Sequence, residues 1–156
     1  MSTFTKLLTA TLLTGGLLAS TGMANAAEHE VKMRNMGAGG MMVFEPPISK
    51  IAPGDTVHFL ATDKGHDVES IEGMLPEGAA PMVGKLNQDL TVTFDKPGIY
   101  GYRCKPHYAM GMVGLIVVGS PTNEDAAKAI QHPGKAKQNF AKLFEKLNTT
   151  SAAAAQ

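Results

Sequence analysis

The stretch Cys104-Lys105-Pro106-His107-Tyr108-Ala109-Met110-Gly111-Met112 puts a thiol, an imidazole and two thioethers in one short segment. Thiolate and thioether are soft donors suited to Cu(I), and imidazole suits copper in either oxidation state. A second imidazole stands upstream in the turn Asp63-Lys64-Gly65-His66-Asp67. Two His and one Cys in a plane, with a weak axial Met, make a blue-copper site. That ligand set leaves no position open to a substrate. The chemistry expected of His66, Cys104, His107 and a following Met is therefore transfer of one electron, not catalysis.

Each residue also has a plainer reading. A His in a loop is usually polar surface, and His29, His58 and His132 are read that way. Met is usually core filler, and this chain has ten. A structural zinc site wants four firm Cys or His ligands, and one Cys with scattered His supplies them poorly. Covalent haem attachment needs a second Cys. A Cys-His hydrolase needs a third group to hold the base and has no use for crowded Met residues. A copper enzyme would need an open position or a second copper site, and no spare ligands are found for either. A metal-free module leaves the cluster unexplained. The main alternative is a copper carrier or chaperone, which Met33, Met36, Met41 and Met42 would favour.

The elements that must position these ligands read as short strands. Val31 and Met33 share one face of a first strand with His29, and Leu90, Val92 and Phe94 alternate with polar residues. Pro53-Gly54-Asp55 and Lys96-Pro97-Gly98 are turn signals. Leu115 to Val118 is continuously apolar, as in a strand buried on both faces. Glu72 to Leu86 reads as a long surface connection. The pattern predicts an all-β antiparallel sandwich, with Cys104 ending one strand and Met112 preceding the next.

After Gly119 the pattern becomes helical. Thr122 or Asn123 is placed to cap a helix carrying Glu124 and Asp125 in its first turn. Phe140, Leu143, Phe144 and Leu147 then recur at helical spacing. That stripe is read as docking on the sandwich. The segment 148–156 reads as a disordered tail.

The chain has 156 residues, 44% of them hydrophobic, which suits one domain with a real core. Lys6, the short apolar run from Leu7 to Ala19 and the small-x-small site Ala24-Asn25-Ala26 predict a cleaved export signal over residues 1–26. The run is too short and diluted for a membrane anchor, so no membrane association is expected after cleavage. The mature domain is expected to span 27–147. Basic and acidic residues number 14 each, which gives no support for nucleic-acid binding. In an oxidising compartment the single Cys cannot form an internal disulfide. A metal bond would protect its thiolate.

Several longer pieces carry a resemblance: Met42-Val43-Phe44-Glu45-Pro46, Pro53-Gly54-Asp55, Thr62-Asp63-Lys64-Gly65-His66, Pro76-Glu77-Gly78-Ala79, and Lys105 through Gly114. With the helical end, the chain resembles the pseudoazurins, small bacterial cupredoxins of the periplasm, from about Glu28 to Leu147. The resemblance implies a Greek-key cupredoxin sandwich of about eight strands with two C-terminal α-helices. It implies one copper ion per subunit on His66, Cys104, His107 and Met112, with Met110 as a neighbour. By spacing from His107 alone, Met110 fits amicyanin-like loops and Met112 fits plastocyanin and pseudoazurin. The family's usual role is giving electrons to a copper nitrite reductase in denitrification, and a monomer is expected. One departure is Asp67, where the family usually has Asn. Asn35 is read either as a support for the ligand loops or as an ordinary turn residue.

Overall fold

In strand Asp55–Leu60 every second side chain is buried, Val57 and Phe59 pointing inward while Thr56 and His58 stay half exposed. That alternation marks a sheet with one face on the core and one toward water. The computed structural model describes residues 26–153, with side chains through 149. The expected signal, residues 1–26, lies outside them except for Ala26. The strands are β1 (Glu28–Gly37), β2 (Gly40–Glu45), β3 (Ile48–Ile51), β4 (Asp55–Leu60), β5 (Glu69–Ser70), β6 (Leu90–Phe94), β7 (Gly98–Arg103) and β8 (Val113–Val118). Helices α1 (Glu124–Ala129) and α2 (Gly134–Ala153) follow.

Two four-stranded sheets result, ordered β2-β1-β4-β6 and β3-β8-β7-β5. The sandwich is mixed and not purely antiparallel as the turn-rich sequence predicts. β1 runs parallel to β4, and β3 runs parallel to β8. Both parallel pairs join strands separated in sequence, so no hairpin turn signals them.

The second sheet is packed on both faces. Cys104, Tyr102, Ile116 and Val118 lie in the core between the sheets with Phe44, Phe59 and Phe94. Ile99, Val113, Leu115 and Val117 lie in a second core with Phe140, Phe144 and Leu147 of α2. All six residues of β8 are buried for this reason, which explains the unbroken apolar run.

Three expectations outside the strands need correction. Asn123 precedes α1 but makes no capping bond. Its Oδ1 accepts from the Ile99 N–H at 2.7 Å, and its Nδ2 donates to the Ile99 carbonyl at 2.9 Å. The side chain thus pairs with β7 as an extra strand residue would. Helix α2 continues to Ala153, so residues 148–153 are helical and not part of a disordered tail. The connection from Glu72 to Leu86 is not wholly surface: Met74 and Met82 are buried, and Val83 bridges Glu69.

Candidate metal centre

Cys104 follows β7 and Met112 precedes β8, so one β-hairpin of the doubly packed sheet carries both ends of the ligand loop. The Cys104 N–H donates to the Met112 carbonyl at 3.0 Å, and the Met112 N–H donates to the His107 carbonyl at 3.2 Å. The loop is thereby closed on itself. His66 arrives from the turn before β5 and is fully buried.

Three donor atoms converge. His66 Nδ1 and His107 Nδ1 are 3.2 Å apart, and Cys104 Sγ lies 3.7 Å and 3.4 Å from them respectively. A point in their plane lies about 2.0 Å from each, the length of a bond from a first-row metal to imidazole nitrogen. The three residues form the candidate metal group found among the described residues. Two imidazoles and one thiol in a triangle fit copper better than calcium or magnesium, which want oxygen. Met112 is fully buried in the same core as Cys104, whereas Met110 is 47% exposed.

The surroundings prepare these groups. His66 Nε2 donates to Asn35 Oδ1 at 2.9 Å, which leaves the Nδ1 lone pair free for a metal. Asn35 is therefore a support of His66 and not an ordinary turn residue. Its own N–H donates to Asp63 Oδ2 at 2.6 Å. Burial, and next the neighbouring His107, lower the His66 pKa, so the imidazole is neutral at neutral pH. Burial pushes the Cys104 thiol up to about 11, against the backbone N–H groups of Asp67 and His107. A metal must displace that proton, and its uptake becomes pH-dependent.

Asn87 is a support that sequence reasoning missed. It sits at φ +63°, accepts from the Gly65 N–H on its side-chain oxygen, and donates its own N–H to the His66 carbonyl at 2.8 Å. Asn tolerates that left-handed backbone better than most residues, which is the one signal it carries.

The other imidazoles stand elsewhere. His29 meets Asp55 at 2.9 Å, and His58 Nδ1 lies 3.0 Å from Thr91 Oγ1. His132 is more than polar surface: its Nδ1 is 2.7 Å from the Tyr108 hydroxyl, and its ring stacks on Phe140 with centroids 4.2 Å apart.

Of the four residues, only His107 reaches solvent. Pro46, Pro106, Ala109 and Met110 are exposed and Met42 is half buried. No described helix is long and apolar enough to cross a membrane.

Comparison with known proteins agrees with this geometry. Residues 31–119 match the model of the copper binding proteins of the plastocyanin/azurin family. The pseudoazurin of Methylorubrum extorquens is 48% identical over 131 residues, spanning 83% of this chain and 88% of the relative. That of Paracoccus pantotrophus is 48% identical over 125 residues, spanning 80% and 86%. A solved pseudoazurin from Sinorhizobium superposes with a TM-score of 0.76 at 48% identity, covering 78% of this chain and 96% of the other. The chain thus belongs to the plastocyanin/azurin family of copper-binding proteins, in its pseudoazurin branch, whose members carry electrons on one copper and are not enzymes.

Proposed function

We propose that His66, Cys104, His107 and Met112 hold the copper, and that the protein shuttles electrons in the periplasm to a copper nitrite reductase. The convergence of Nδ1, Nδ1 and Sγ on one buried point carries this reading. Copper supplies the Cu(I)/Cu(II) couple when bound. The chain supplies the rest. His66, Cys104 and Met112 are sealed from water, and Asn35 and Asn87 fix the orientation of His66. Donors held this firmly need little reorganisation when an electron moves.

His107 offers the way out, through its half-exposed ring within the apolar rim of Pro46, Pro106, Ala109 and Met110. An uncharged rim suits small, transient redox contacts. Lys64, Lys85, Lys105 and Lys135 are exposed on or beside the loops at this end and would steer an acidic partner. Lys137 lines the groove of α1 and α2 with His132 and Phe144. A monomer keeps the rim free.

Export with cleavage after Ala26 is part of the proposal. The Ala27 nitrogen lies 2.8 Å from Asp55 Oδ1. Cleavage there would convert it into an ammonium facing a carboxylate.

The test is the visible spectrum of the mature protein with one equivalent of Cu(II). An intense thiolate-to-copper band that bleaches on reduction is expected. A pale protein would sink the ligand set and bring the copper-carrier reading forward. Stopped-flow mixing of the reduced protein with a copper nitrite reductase should show fast oxidation that slows with salt. No oxidation would remove that partner.

A further inference from the structure

Helix α2 and the turn before it touch the ligand loop as well as the sheet. Three hydrogen bonds reach it between His107 and Met112. His132 Nδ1 meets the Tyr108 hydroxyl at 2.7 Å, the Lys135 N–H donates to the Ala109 carbonyl at 2.9 Å, and Asn139 Nδ2 donates to the Gly111 carbonyl at 2.8 Å. Within the loop, the Met110 and Met112 N–H groups both donate to the His107 carbonyl, and the Gly111 N–H donates to the Tyr108 carbonyl. Among the described residues, the carbonyls of Ala109 and Gly111 are thus bonded by α2 alone.

The fit at Gly111 is close. Its φ is +96°, and a Cβ there would run into the Asn139 amide. Asn139 in turn cannot drift, because the next residue, Phe140, is 2% exposed in the core beneath α2. The amide therefore clamps the Gly111–Met112 peptide against a fixed helix. An axial thioether bonds copper weakly and at long range. Such a bond cannot set the position of its own side chain, so the backbone and the core around Met112 must.

We propose that Asn139 is a positioning residue for the axial ligand, holding Met112 in place through the Gly111 carbonyl. The inference rests on the ligand set proposed above. It assigns the C-terminal helix a role in tuning the metal, since the axial ligand tunes the potential of such sites.

The experiment compares copper-loaded wild type with Asn139→Leu, Asn139→Asp and Leu147→Ala. Leu keeps the branched outline of Asn without a donor, and Asp keeps its shape but has no N–H when ionised. Leu147→Ala is the control: it removes a buried side chain of α2 about two turns beyond Asn139. Visible spectra, reduction potentials and copper release to a chelator are read together with thermal stability. Both Asn139 variants should shift spectrum and potential and release copper on the order of 10-fold faster, the lower range for groups that orient metal ligands. Leu147→Ala should lose stability and keep the spectrum. Asn139 variants with wild-type spectra, potentials and release would overturn the inference. So would changes of equal size in Leu147→Ala, which would mean that general loosening is enough. A wild type without the thiolate band fails the ligand set itself and takes the clamp with it.

Discussion

The Lys105 backbone N–H donates to Asp67 Oδ1 at 2.7 Å, tying the turn that carries His66 to the loop that carries Cys104 and His107. Asp67 puts an acidic side chain beside the metal, and its charge favours the more positive, oxidised state. Asp67→Asn keeps the oxygen acceptor and removes the charge. The variant should show a higher reduction potential in voltammetry. An equal or lower potential would mean that the carboxylate is screened.

Asn35 is exposed, yet it accepts from the buried His66 ring. Asn35→Ala should weaken copper binding by about 10- to 100-fold, as loss of a ligand's outer partner does. Competition with a chelator of known affinity checks this. An unchanged affinity would show that packing alone holds His66.

Asp55 is 6% exposed and receives the Ala27 N–H, His29 and the Ala52 N–H. These partners, the Ala27 N–H foremost, hold its carboxyl down to about 2. A carboxyl depressed by folding stabilises the fold above its unfolded value of about 4, and that share is lost as pH falls toward 2. Urea midpoints should therefore drop across this window in the wild type. In Asp55→Asn the drop should be smaller and the midpoint at pH 7 lower. Parallel pH profiles would exclude Asp55 as the cause.

Tyr102 is buried between Phe44 and Phe59, with ring centroids at 4.8 and 5.2 Å, and its hydroxyl has no partner among the described residues. Tyr102→Phe keeps the ring contacts and removes the orphan. It should raise stability by about 1 kcal/mol. Gly114→Ala should do the reverse, because its Cβ would enter the Tyr102 ring. Equilibrium unfolding of the pair decides both; a destabilised Tyr102→Phe would show that the hydroxyl is satisfied in solution.

The candidate metal-holding residues could be singled out in the sequence because their side-chain types are restrictive. Few uses other than copper want Cys, His and Met together, and a continuous run such as Leu115 to Val118 declares a strand buried on both faces. What stayed hidden are relations between distant residues whose types say little. Asn87, Asn123 and Asn139 are ordinary amides in sequence, yet they bond Gly65, Ile99 and Gly111. Spacing alone left Met110 and Met112 open, since it counts residues and not burial. The parallel pairs β1–β4 and β3–β8 were hidden too, because alternation reports which face a residue takes but not which strand lies beside it.

That only His107 among the four proposed ligands meets solvent has a consequence for traffic. A molecule with one port cannot stand between a donor and an acceptor and pass charge straight through. Both must take turns at the same apolar rim, and each delivery requires departure before the next loading. Throughput is then governed by how fast complexes fall apart, and a mutation that tightens one partner would slow the whole relay.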